Sequence, residues 1–313
     1  MTAMETRPDH TAVRPGLPLM TLGLVILSWG AGPVVTKLVT VHPMVGTVLR
    51  FGLAVPLLYV LVRLRDGRLT MPIVRKTALP GIAFGINLIF VFAAVQEVTI
   101  AVLAVTIALQ PALLLLVAGP MFDERPTAVH VAWTLVGVLG AAAVILGAGQ
   151  EFRASPLGLA YCIAALLTFS VYFVLTRLAR STVDVDPVEW MAGINLWSLA
   201  AALSCAVFVV TGDELAEVDR TDVFWLLILA YVTGVFGHVL MSWVHGYIEA
   251  ARSSLYIQSM HLVAVGLAWL VHDEPFTPVQ MVGGVVVLLA VAAVLRLPPR
   301  SEPVAGTGAA SAT

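Results

Sequence analysis

Ten apolar runs, each about long enough to cross a bilayer, leave this chain few ways to fold. They fall at about 18–38, 43–64, 78–97, 100–121, 129–148, 156–177, 188–211, 223–248, 253–272 and 279–296. A hydrocarbon core of ~30 Å takes ~20 helical residues to cross. Inside it every backbone N–H and C=O must find a partner within the protein, which a run of this kind meets by becoming a helix. Only 12% of the residues are charged while 59% are hydrophobic, about half the charge of a soluble domain. A water-soluble fold is excluded, and the expectation is an all-α integral membrane protein with ten transmembrane helices.

The runs divide into two sets of five, and one stretch is written twice. Ala108–Thr127 reads ALQPALLLLVAGPMFDERPT and Ser259–Thr277 reads SMHLVAVGLAWLVHDEPFT. Asp123-Glu124 falls on Asp273-Glu274 and Thr127 on Thr277, at a constant offset of 150 residues. Duplication within a polytopic chain suggests the two-repeat plan of a transporter. The expected organisation is an N-terminal tail (1–17), a first five-helix repeat (18–148), a link (149–155), a second repeat (156–297) and a disordered tail (298–313). Five is odd, so the second repeat would be inverted relative to the first.

Lys and Arg orient the spans. With the N-terminus in the cytoplasm, Arg7, Arg14, Arg63, Arg65, Arg68, Arg75, Lys76, Arg125, Arg177, Arg180, Arg252, Arg296 and Arg300 lie inside. Only Arg153 and Arg220 lie outside, while Lys37 and Arg50 fall within helices. Both tails are therefore expected in the cytoplasm, with the acidic loop containing Asp213, Glu214, Glu217, Asp219 and Asp222 facing out. The first run is too long for a signal-peptide core and lacks a clear A-x-A site, so it reads as an uncleaved span of the cell (inner) membrane.

Several activities lack their residues. A net charge of −2 gives no basic footprint for nucleic acid. No P-loop pattern stands anywhere, so ATP-driven transport by this chain alone is unsupported. The two cysteines, Cys162 and Cys205, sit inside apolar runs with no metal-type spacing. His238 and His245 are seven residues apart on one helix, too far to share an ion, so no metal and no cofactor are expected.

Against this background the motifs take on a family likeness. Trp29-Gly30 with Lys37 eight residues on, Pro43 followed by Arg50-Phe51, and Pro111 with Glu124 thirteen residues on appear in order. Phe169 with Arg177, and Pro187, echo the first two in the second half. In this order and doubling the chain resembles the EamA family of the drug/metabolite transporter superfamily over nearly all of 18–297. That resemblance implies transport of a small metabolite, often by export, through a cavity between the repeats. The second copy departs from it at His261, which stands where the pattern has proline.

The candidate substrate or coupling residues are His261, His238, Trp29, Arg50, Lys37, Asn87, Gln110, Asn195, Gln258 and Tyr172. At ~1.5 Å of rise per residue, His238 and His261 both fall near the midplane of sequential antiparallel helices, where they could meet. A titratable ring there suits a proton relay or a substrate contact. Arg50 is too deep to snorkel and should face a carboxylate such as Glu97, freed carbonyls near Pro56, or an anionic substrate group. Lys37 lies nearer the outer interface, as a snorkelling or gating residue. Amides at this depth are more often interhelical bonds than ligands, so each of the four has that structural reading as well. Glu124 and Glu274 are expected to cap the helices that follow them. Gly81-x-x-x-Gly85 and Gly283-Gly284 read as close packing surfaces.

The expected function is secondary or facilitative transport of an amino acid or similar metabolite by alternating access, with export the favoured direction. Proton coupling and the choice between monomer and homodimer stay open. The alternatives are a membrane sensor or scaffold that moves no solute, and an intramembrane hydrolase built on His238 and Ser242 at i,i+4.

Overall fold

A computed structural model describes residues 16–118, 127–147, 155–180, 185–244, 247–248, 256–275 and 277–297, without the side chains of 115–118 and 242. Asp123, Glu124, Arg125 and the tail 298–313 lie outside the described residues, as does most of 1–17 and of the link. Every regular element described is helical. Among the described residues eight helices are long and apolar enough to cross a membrane, and two shorter apolar helices accompany them, at Ile100–Leu114 and Ser259–His272.

In chain order the elements are α1 (Leu17–Lys37), α2 (Pro43–Leu64), α3 (Met71–Lys76), α4 (Ala78–Glu97), α5 (Ile100–Ala108), α6 (Gln110–Ala118) and α7 (Ala128–Leu146). Then follow α8 (Pro156–Arg180), α9 (Pro187–Val209), α10 (Gly212–Ala216) and α11 (Arg220–Leu227). A π-helical segment (Ile228–Phe236), α12 (Gly237–Val244), α13 (Ser259–His272) and α14 (Pro278–Arg296) complete the chain. Large apolar side chains such as Leu146, Val207, Phe208 and Leu289 stand on the outside. That is the reverse of a soluble fold and suits a surface solvated by lipid.

Two expected continuous spans are broken. The fourth run turns at Leu109 between α5 and α6, with the Leu109 N–H on the Thr106 carbonyl at 3.2 Å. Pro111 explains this, since it lacks an N–H and its ring crowds the preceding turn. The ninth run turns at Gln258, and the His261 N–H reaches the Gln258 carbonyl at 3.2 Å. His261 in place of proline therefore does not restore a continuous helix. The Gln258 amide donates to the Ala108 carbonyl at 3.2 Å, a contact between two positions 150 residues apart.

Matched ends recur at the same offset. Helices α7 and α14 are both 19 residues long and begin after Thr127 and Thr277, each with a capping box to the third helical residue. They pack antiparallel, with Gly140 and Gly283 meeting closely: a Cβ at either would come within 2.9 Å of the other's carbonyl oxygen. Each N-terminus also serves the other's C-terminus. The Thr277 hydroxyl donates to the Gly147 carbonyl at 2.9 Å, and the His130 ring bonds the Leu297 carbonyl at 3.2 Å. The starts of α2 and α9 are likewise alike: His42 and Asp186 each accept the N–H two residues on, across Pro43 and Pro187.

Small residues bring the other helices together. A Cβ at Gly81 or Gly85 would press on the Ile194 or Ser198 carbonyl, so α4 lies against α9 at backbone distance. Gly30 packs on Met260 and Val263 of α13, while neighbouring Gly32 faces open space. Gly30 therefore lets α13 approach α1 at backbone distance.

Candidate functional site

The eighth span changes register in its middle. Residues 228–236 adopt π-helical bonding, an i→i+5 pattern that usually spans a single turn and recurs at functional sites. The shift disturbs the bonding of nearby carbonyls, and the His238 ring turns back on one of them: its Nδ1 lies 2.8 Å from the Gly234 oxygen. A carbonyl only accepts, so Nδ1 carries the proton in that bond and a neutral ring leaves Nε2 as an acceptor.

His238 lines a cavity together with Arg50 and Phe51 of α2, Phe84 of α4, Met191 and Asn195 of α9, and Gly234 and Val235 of the π segment. Its free volume is about 20 Å³, room for roughly one water, so the helices are closed around it. Trp29 of α1 packs on the His238 ring at 5.1 Å. The indole lies so near the Gly237 backbone that a side chain there would meet Trp29 Nε1. That Nε1 is buried and makes no hydrogen bond. Tyr172 of α8 stacks on Phe84 at 4.8 Å, extending the aromatic wall.

Arg50 has no carboxylate within ion-pair distance among the described residues. Glu97, the partner anticipated from sequence, instead accepts from the Ser155 hydroxyl at 2.7 Å. Asn195 uses its NH2 on the Met191 carbonyl at 2.8 Å, leaving its oxygen free to accept.

The other candidates are elsewhere. Asn87 bonds the Ala165 carbonyl at 2.8 Å and joins α4 to α8. Gln110 is buried beyond the Leu109 turn with its Nε2 unpartnered. Gln258 holds Ala108. His261 is buried in α13, and α1 packs between α13 and the π segment with α12, so the two midplane histidines are not neighbours as sequential antiparallel helices suggested.

Lys37 forms a second polar centre. Its ammonium lies 2.6 Å from Glu274 Oε1, and Glu274 Oε2 accepts the Ile100 N–H at 2.8 Å. Glu274 therefore caps α5 rather than the helix that follows it; Thr277 and Gln280 do that work. The cause is local: Asp273 takes a left-handed turn at φ 50°, which swings Glu274 back under α13. His272 in the same turn bonds the Val34 carbonyl at 2.9 Å.

Sequence reasoning missed Phe84, Met191 and Gly234 as cavity residues, and Glu274 as the partner of Lys37. Only Gly234, following Thr233 in an otherwise apolar run, carried a signal. The serine of the hydrolase alternative, Ser242, has no described side chain. No group of three metal-ligating side chains occurs among the described residues.

The family model that matches is that of the EamA-like transporter family, over residues 156–296. Residues 156–296 are an EamA-like transporter domain. That family is one of transporters and not of enzymes, and the long apolar helices make the chain a multi-pass membrane protein. No curated protein matches. A solved crystal structure is similar with a TM-score of 0.62 and 17% identity, covering 89% of this chain and 96% of that one. Likeness at that identity is one of fold.

Proposed function

We propose that this EamA-like protein is a ten-span secondary transporter of two inverted five-helix repeats, 18–148 and 156–297, that moves a small metabolite by alternating access. The observation that carries the reading is the cavity: α2 and α4 supply one wall, α9 and the π segment the other, so each proposed repeat contributes half. The shared 150-residue offset of the Thr127 and Thr277 caps, and the contact of Ala108 with Gln258, support a pseudo-twofold relation. The breaks at Leu109 and Gln258 shorten the fourth and ninth spans without removing them from the count.

The excess of Lys and Arg on one side supports cytoplasmic termini, and the family resemblance is what favours export. On that topology Lys37–Glu274 closes the outer end, while Arg65–Asp186, 3.5 Å apart, links α2 to α9 at the inner end. His238 lines the cavity whereas His261 does not, which makes His238 our choice for a coupling proton. Purified protein in liposomes should exchange labelled substrate across the bilayer in a counterflow screen of amino acids and other metabolites. A protein that moves no solute from a broad panel would favour the sensor alternative. Indifference to a pH gradient, in wild type and in His238→Gln alike, would remove the proton step.

A further inference from the structure

The cavity has a charge that no described carboxylate balances. Arg50 lies mid-helix in α2, and every acid described near the spans is occupied elsewhere. Glu97 holds Ser155, Glu189 accepts the Arg68 N–H at 2.9 Å, Asp222 takes the Thr40 N–H at 2.8 Å, and Glu274 holds Lys37. A guanidinium within a membrane span is costly unless something compensates it, and its planar fork suits a carboxylate.

The rest of the lining narrows the partner. Phe51, Phe84 and Met191 offer an apolar wall. His238 and Asn195 line the same cavity, each with one acceptor left over, His238 Nε2 and the Asn195 oxygen, their other atoms being engaged with Gly234 and Met191. Near them, the Trp29 indole N–H is buried and unused. A hydroxyl would satisfy an acceptor here, whereas an ammonium would enter a lining that already holds a cation and no acid.

We propose that this cavity binds a small apolar monocarboxylate of net charge −1, typified by a 2-hydroxy acid, in preference to a zwitterionic amino acid. Its carboxylate lies on Arg50, its hydroxyl donates to His238 or Asn195, and its apolar body sits against Phe84 and Met191. The assignment rests on the transporter reading for its consequence, outward movement of net negative charge in each cycle: one charge for the solute alone, two when a proton enters in exchange. The cavity must widen to admit such a solute, which opening of either end would allow.

The experiment pairs binding with flux. Quenching of tryptophan fluorescence, with Trp29→Phe as the control, reports binding of 3-phenyllactate, 2-hydroxyisocaproate, phenylalanine, leucine and 3-phenylpropanamide to detergent-purified protein. Counterflow of the same solutes in proteoliposomes, with and without a valinomycin-set potassium diffusion potential, reports transport. The hydroxy acids should bind and move at least tenfold better than their amino-acid counterparts, and an interior-negative potential should speed their exit. Arg50→Gln should lose the hydroxy acids more than tenfold and leave the neutral amide within twofold. Asn195→Asp, which places an acid beside Arg50, gives an independent variant should Arg50→Gln not fold; it should abolish the preference for anions.

Equal or better handling of phenylalanine and leucine, or an anion preference untouched by both variants, overturns the proposal while leaving transport standing. Binding of the hydroxy acids with no flux of any solute instead overturns the transporter reading and leaves the site.

Discussion

At the residue scale, the least replaceable side chains are those facing an unbalanced neighbour. Glu274 is buried, holds Lys37 and caps α5. Removing one partner of a buried pair leaves the other uncompensated, at a cost of ~3–5 kcal/mol. Lys37→Met strands the buried carboxylate but leaves it the Ile100 N–H, and solvent reaches it past the partly exposed Lys37 position, so this loss should sit below that range; Glu274→Leu, which removes the cap as well, should destabilise more. Thermal unfolding in detergent checks the order; equal shifts would mean that the Ile100 bond contributes nothing. Glu214 follows a different logic, on the surface in α10. Its carboxylate accepts the Thr211 N–H, which holds it below the usual carboxylate range. A depressed folded value means that the cap is in place above the unfolded value of ~4.3 and is lost as pH falls through the lower folded one. Amide exchange at Thr211, corrected for intrinsic rate, should therefore be protected at pH 6 and keep that protection down through the ordinary carboxylate range, losing it only below.

At the element scale, much of the helical architecture was legible and its irregularities were not. Apolar runs announce spans because each residue adds to the same window sum, and the caps at Thr127 and Thr277 stand out against them. The π segment adds no such mark, since a one-residue change of register leaves hydropathy unaltered. Yet it sets where His238 points. Deleting one residue from the π segment, for example Val232, should return the span to α-helix with α11 and His238 in nearly their old register, and so removes the π turn and its disturbed carbonyls alone. Transport should fall to background while helicity by circular dichroism and the elution volume stay as in wild type. Unchanged transport would show that the π turn is dispensable. Close packing gives a second test. Gly85→Val would drive a side chain into the Ser198 backbone, and overpacking of this kind costs ~1–3 kcal/mol. Gly32→Ala, facing open space inside α1, should hold or raise the melting temperature.

At the scale of the whole molecule, the candidate site was only half legible because its partners are far apart in sequence. Arg50, Asn195 and His238 could each be singled out as polar groups at depth, but nothing in the chain says that they share a cavity while His261 lies beyond α1. Lys37 and Glu274 are 237 residues apart, and their pairing depends on a left-handed turn at Asp273. That pairing yields a prediction about the alternating-access cycle. If the Lys37 end closes the outside, weakening it should favour the state open to that side, and weakening the Arg65–Asp186 link should favour the other. The two links differ in strength: the first includes a buried acid and two further bonds, the second joins exposed groups 3.5 Å apart. A surface pair of the second kind contributes ~0–1 kcal/mol, so Arg65→Ala should shift the balance less than tenfold. Lys37→Met should shift it by more. A single cysteine at Thr47 or at Leu61, on opposite halves of α2, in a protein lacking Cys162 and Cys205, reads the outcome as labelling by a membrane-impermeant maleimide from each side. Lys37→Met should raise labelling at Thr47→Cys from outside and lower that at Leu61→Cys from inside. Movement of both rates in the same direction would point to loosening of the whole bundle, and the two ends would then not be opposed gates.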